Sequence, residues 1–148
     1  MKRYYTAAQP YAPSTGPSFD AWSSALKASA KGVPQPAAQW RTNSFSETVY
    51  DSVVIIALAM QESKSINPSI YNAYIPKIAN PSRGAVQVHS YAQGVHELAL
   101  GKKIQYVGAI GAFSLNKYHN SPGGFEIINY KFKYLTSFTA TAIVKAGK

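Results

Sequence analysis

The sequence predicts an α/β protein with more helix than strand. Three observations carry that reading. The stretch SFSETVYDSVVIIALAMQES, from Ser44 to Ser63, joins a helix-start signal to an apolar run. Three further stretches have helical spacing between recognisable caps, and after Gly101 the pattern changes from helical to alternating. At 148 residues, 46% hydrophobic and with 11 Tyr, the chain can bury a core and is too apolar for a disordered protein.

Taken in order, residues 1–18 are rich in Pro, Ser, Thr and Tyr and read as extended loop. SFDAWSSALKASAKG follows as a helix, with Ser18 as N-cap, Phe19, Trp22 and Leu26 on one face and Gly32 as terminator. Pro34 and Pro36 make VPQPAAQWRTN a linker. Ser44-x-x-Glu47 then matches a capping box, in which the serine hydroxyl takes a first-turn amide and the glutamate returns to the serine amide. Val49, Val53, Ile56 and Met60 recur at helical spacing, and Val54, Ile55, Ala57 and Leu58 fill other faces. A helix this apolar all round is expected to be buried on more than one side.

Asn67-Pro68 pairs an N-cap with a first-turn proline ahead of PSIYNAYIPKIAN, which Pro76 cuts or kinks. PSRGAVQV reads as loop leading into a short extended piece. Ser90 starts SYAQGVHELAL, and Gly101 stands where a left-handed C-cap belongs. GAIGAFSLN, FEIINYKFKYL and TSFTATAIV read as strands, the first two joined as a hairpin through Pro122-Gly123-Gly124, with one further strand after it. Residues 1–43 therefore form an N-terminal loop, a helix and a Pro-rich linker, and 44–148 form one continuous segment.

Composition excludes several function classes. There is no cysteine, hence no disulfide framework and no thiolate metal site. The net charge is +9, but the bases are scattered and only Lys2–Arg3 and Lys102–Lys103 are adjacent, which argues against a nucleic-acid footprint. MKRYYTAAQPYAP lacks the apolar core of a signal peptide, and the run Val53–Met60 is far short of the roughly 20 residues a membrane span needs. As written, the chain is expected to be neither secreted by a signal of its own nor anchored by a helix.

Catalytic signatures such as Gly-x-Ser-x-Gly and His-Glu-x-x-His do not occur, and the acids form no close pair for acid–base work, so no enzyme activity is expected. His89 and His96 stand seven apart beside Glu97, but zinc needs three or four ligands in a defined shell, and they read as surface histidines. In NYKFKY, Tyr130, Phe132 and Tyr134 alternate with Asn129, Lys131 and Lys133. The simplest reading is a half-buried strand with lysines in water, and the other is a face on which bases stack.

Order and spacing add a family resemblance over residues 44 to 144. VYDSVVIIALAMQES carries a Tyr-Asp at the head of an apolar helix; ELALGKKIQYVGAIGAFSLN carries Gly-Lys-x-x-x-Tyr-x-Gly; GGFEIINYKF follows as a strand. Together they resemble the C-terminal third of the leucine/isoleucine/valine-binding type of substrate-binding protein, the receptors of ABC importers. Asn116 stands where the family has Asp, Glu62-Ser63 replaces a closing Ala-Gly, and the first two-thirds of such a receptor have no counterpart here.

The resemblance implies a partial type I periplasmic-binding fold and capture of an amino acid or similar small polar solute. It also implies a location in the cell envelope beside an ABC permease, with no cofactor and no metal. The missing lobe, or a second copy of the chain, would complete the receptor. Phe45, Ser46, Tyr50 and Asp51 then become candidates for the wall of the cleft between lobes. From the residues alone, Asp51 complements the positive end of its helix and Tyr50 packs with its hydroxyl satisfied. Two other functions stay open: a small basic module binding nucleic acid or a protein, and a truncated product with no solute function.

Overall fold

A computed structural model describes residues 4–34, 36–121, 124–131 and 139–145. Its elements in chain order are β1 (Tyr4–Pro10), α1 (Pro17–Ala28), α2 (Ser44–Ser63), α3 (Pro68–Tyr71), α4 (Ile75–Ala79), β2 (Val86–Val88), α5 (Tyr91–Ala99), β3 (Ile104–Gly108), β4 (Gly111–Ala112), β5 (Gly124–Lys131) and β6 (Thr139–Lys145). Mixed α/β character is thus established. Among the described residues no helix is long and apolar enough to cross a membrane.

The chain divides into two compact units, Met1–Tyr11 with Pro122–Lys148, and Ala12–Ser121. The boundary suggested by the linker, between residues 43 and 44, falls inside the second unit. In the first unit β5 lies between β1 and β6, antiparallel to both. Tyr4 pairs with Lys131 and Pro10 with Phe125, and a register shift at Ile127/Ile128 interrupts the ladder to β6.

Two expectations are corrected here. The N-terminal segment is a strand rather than loop, consistent with the strand preference of its Tyr-Tyr-Thr start. The hairpin between Ala112–Leu115 and the Phe125 strand does not form, because side chains hold those backbone groups. Asn80 Oδ1 accepts from the Leu115 amide at 2.6 Å and its Nδ2 donates to the Leu115 carbonyl at 2.9 Å. The Ser114 amide donates to Ser121 Oγ, and Asn116 Oδ1 accepts from the amides of Tyr118 and Asn120. Only Gly111–Ala112 is strand, paired back on β3. Phe132 and Tyr134 lie outside the described residues, so the facing of that aromatic run does too.

The second unit is built on β2–α5–β3, two parallel strands joined by a helical crossover. Ile104, Gln105 and Tyr106 are all buried, so β3 is covered on both faces and shows none of the alternation that marks a half-exposed strand. Val88, Ile104 and Tyr106 meet Val54, Ile55 and Leu58 of α2 and Ile78 of α4 in one core. Tyr106 stacks on Phe113 with centroids 6.4 Å apart. Gly94 of α5 crosses so close over Leu58 that a Cβ there would lie 2.5 Å from Cδ2, so any side chain would force the leucine to shift. A smaller core joins Phe19, Trp22 and Leu26 of α1 to Ala109, as the α1 spacing predicts.

Caps explain most helix starts. Asn67 accepts from the Ser69 amide and Ser90 from the Gln93 amide, both as read from sequence, and Gly101 is left-handed at φ 72° beyond α5. Other positions shift. Helix α1 begins at Pro17 after Gly16, so Ser18 lies inside it and faces the protein, and the helix ends at Ala28, short of Gly32. Helix α2 is capped by Asn43, whose Oδ1 accepts from the Ser46 amide at 3.0 Å. Ser44 is therefore the first helical residue and Glu47 turns inward, so the capping box does not form.

The apolar faces of α2 also sort differently from expectation. Glu47, Asp51, Val54, Ile55, Leu58 and Ala59 face the core, whereas Val49 is 64% and Val53 61% exposed. Asn43→Ala should cost about 0.5–2 kcal/mol, the usual value of an N-cap. Ser44→Ala should stay within about 0.5 kcal/mol, as at a position away from such features. Urea unfolding of the two variants beside the parent measures both.

Candidate functional site

Asp51 lies on the buried side of α2, and Tyr50 lies at the margin between core and groove. Asp51 has no solvent exposure. Its Oδ1 accepts from the Tyr106 hydroxyl at 2.8 Å and from the Ala109 amide at 2.9 Å, and its Oδ2 accepts from the Ile110 amide at 3.0 Å. Every partner is a donor, which is the complement of an ionised carboxylate. Burial pushes the carboxyl up, and the two amides and the tyrosine hydroxyl pull it back. Neither sequence reading of Asp51 describes this arrangement: the side chain ties α2 to the turn between β3 and β4.

The approach is close. A Cβ on Gly108 would run into the Asp51 carboxylate, so glycine is required where the strand passes it. The hydroxyl of Tyr106 is pushed up by burial, by the Asp51 charge and by donating to it. Glu47, one turn before Asp51 on the same face, is 1% exposed, and its Oε2 meets no hydrogen-bond partner among the described residues. Burial, with the Asp51 charge added, raises its carboxyl from 4.5 to about 7.

Tyr50, half-buried, packs against both cores and borders the groove. Its ring lies 5.2 Å from that of Trp22, and burial and the Asp51 charge push its hydroxyl up. Together Tyr50, Phe45, Ser46, Trp22 and Trp40 line an open groove of about 650 Å³ between α1, the linker and α2. The structure thus brings Phe45, Ser46 and Tyr50 to one surface and places Asp51 behind it. Phe45 is 67% exposed, and Val49 and Val53 continue the apolar wall. The indoles are fixed by their ring N–H groups, Trp22 Nε1 donating to the Arg41 carbonyl and Trp40 Nε1 to the Pro34 carbonyl.

Sequence reasoning left both tryptophans off the site. The available signal is that both Trp residues of the chain precede the Tyr-Asp helix, Trp22 in the helix before it and Trp40 in the Pro-rich linker. Glu47 and Tyr106 give no such signal, because only the folded packing brings them to Asp51.

Other candidate groups resolve into structural roles. Ser18 Oγ donates to the Val107 carbonyl at 2.6 Å, so its contact with His89 Nδ1 at 2.8 Å leaves it the acceptor rather than an activated nucleophile. His89 precedes α5 and His96 sits in its last turn. Among the described residues no group of three or more potential ligands could hold a metal ion. Glu97 pairs instead with Lys102 at 2.7 Å. No family model, no curated protein and no solved structure matches this chain.

Two outcomes follow for the buried acids. Asp51→Asn presents an amide donor to one of three donors, and should cost roughly 2–4 kcal/mol in urea unfolding. Glu47 binds a proton more tightly folded than unfolded, so its contribution is fully present below 4.5 and is lost as pH rises through about 7. Glu47→Gln removes this dependence. Relative to the parent, the variant should gain up to ~3 kcal/mol between acid and mildly alkaline pH. Unfolding curves across that range check the sign.

Proposed function

We propose that the chain is part of a solute-capture receptor of the leucine/isoleucine/valine-binding type, working at the cell envelope with an ABC permease. The observation that carries the reading is the groove. Three of the four residues that the resemblance assigns to a cleft wall, Phe45, Ser46 and Tyr50, line one open surface together with Trp22 and Trp40. A wall of indole, phenyl and valine suits an aliphatic side chain, whose transfer from water contributes about 25 cal/mol per Å² buried.

The same surface limits what this chain does alone. Its polar lining is confined to Asn43 and Ser46, besides the Tyr50 hydroxyl, which is too little to offset the desolvation of an ammonium and a carboxylate. A complementary lobe would hold those ends, and it would also cover Val49 and Val53, whose exposure on a single stripe is unusual for a finished surface.

Isothermal calorimetry against a panel of amino acids, with light scattering alongside, tests the reading. Expected are weak, saturable heats for leucine-like ligands, at millimolar affinity, and self-association through the apolar stripe. Phe45→Asp should abolish the heats. A monodisperse monomer that binds leucine at micromolar affinity would show a self-sufficient receptor and overturn the need for a second lobe. Absence of any response, with oligonucleotide binding that falls steeply as salt rises, would overturn the receptor reading in favour of the basic module.

A further inference from the structure

On the opposite edge of β2 and β3, where the two parallel strands begin, a second cavity of about 490 Å³ is unrelated to the groove. Two lysines, Lys77 and Lys103, line it together with one acid, Glu62, and with Ser82. Among the described residues the salt bridge joins Glu97 to Lys102, so these three residues close no ion pair with one another. Glu62 is half-buried, and burial pushes its carboxyl up while nearby Lys77 pulls it down.

Much of the cavity is held in place before any ligand arrives. Asn80 is locked by its paired bonds to both backbone groups of Leu115, and Pro76 and Pro81 stiffen the wall. The Lys77 ammonium rests 4.1 Å from the centroid of the Tyr74 ring. Lys103 is fixed at its backbone, where its carbonyl accepts from the Val86 amide at 2.9 Å, and Ile104 beside it is 3% exposed. Such convergence of a few polar groups on a preformed concavity is the usual anatomy of a small-molecule site.

We propose that this cavity binds a small α-amino dicarboxylate, of the aspartate or glutamate class. Two cations and one anion on the wall are the inverse of two carboxylates and one ammonium on the ligand. Each lysine takes a carboxylate and Glu62 takes the ammonium. An apolar amino acid would leave one lysine unanswered, and a simple dicarboxylate would bring no ammonium to Glu62.

The test is calorimetry of the intact chain with glutamate, aspartate, glutarate, leucine and inorganic phosphate. Glutamate or aspartate should bind saturably and about tenfold or more tighter than glutarate. Lys77→Ala and Lys103→Ala should each weaken that binding about tenfold, and Glu62→Gln should erase the preference over glutarate. These residues are not in either core, and thermal unfolding of each variant confirms the fold. Equal affinity for glutarate, binding of phosphate as tight as that of glutamate, or no heat from any acidic ligand would overturn the proposal. The inference does not rest on the groove. A leucine response that Phe45→Asp removes, with glutamate silent, would sink this site and leave the proposed function standing.

Discussion

The Asp51 carboxylate is the point on which the second unit hangs. It joins the middle of α2, the strand β3 through Tyr106 and the reversal into β4 through the amides of Ala109 and Ile110. Those amides leave β3 at the residues where the ladder turns back, and without the carboxylate one buried and one part-buried donor would lose their partner. A buried charge is costly in isolation, and it is tolerated here because every bond to it comes from a fixed donor. The arrangement dictates its neighbours: Gly108 must lack a side chain, and Tyr106 must be a tyrosine rather than a phenylalanine.

Anchoring α2 through Asp51 also decides which face it shows outward. With Glu47, Asp51, Val54 and Leu58 turned inward, Phe45, Val49 and Val53 are left on the far side, where they border the groove with Trp22 and Trp40. The proposed solute surface and the buried clasp are therefore two consequences of one helix orientation. Tyr50 and Asp51 are neighbours in sequence with different tasks: Asp51 is wholly buried in the clasp, and Tyr50 lies at the margin where core meets groove. Glu47 adds a weakness to this design, since it brings a second carboxyl within a turn of the first with one oxygen unpartnered.

What could be read from the sequence was mainly local. Caps at Asn67 and Ser90, the left-handed Gly101 and the α1 stripe of Phe19, Trp22 and Leu26 depend on neighbours within a few residues, and they stand in the structure. Pairing between strands was not legible, because β1 and β5 meet across more than a hundred residues and nothing in either names its partner. Strand β3 escaped notice because burial on both faces erases alternation. The core face of α2 was ambiguous because both faces are apolar. What separates them is a pair of acids that local reasoning assigns to solvent or to the helix end, and their burial becomes visible only with the β3–β4 turn in place. Of the candidate site, the cluster around Tyr50 was legible in part, whereas Trp22 comes from α1 and Trp40 from a linker whose path no local rule predicts.

Amide hydrogen exchange at Ala109 and Ile110 tests the central role of Asp51 most directly. Both amides lie outside the β3–β4 pairing and donate to the Asp51 carboxylate alone, so their protection reports that bond and no ladder. If the carboxylate anchors the turn, both should exchange as slowly as the buried strand amides of β3, opening only with global unfolding of the unit. Exchange at the rate of an exposed loop, while β3 and α2 remain protected, would show that the turn stands without Asp51 and would contradict it.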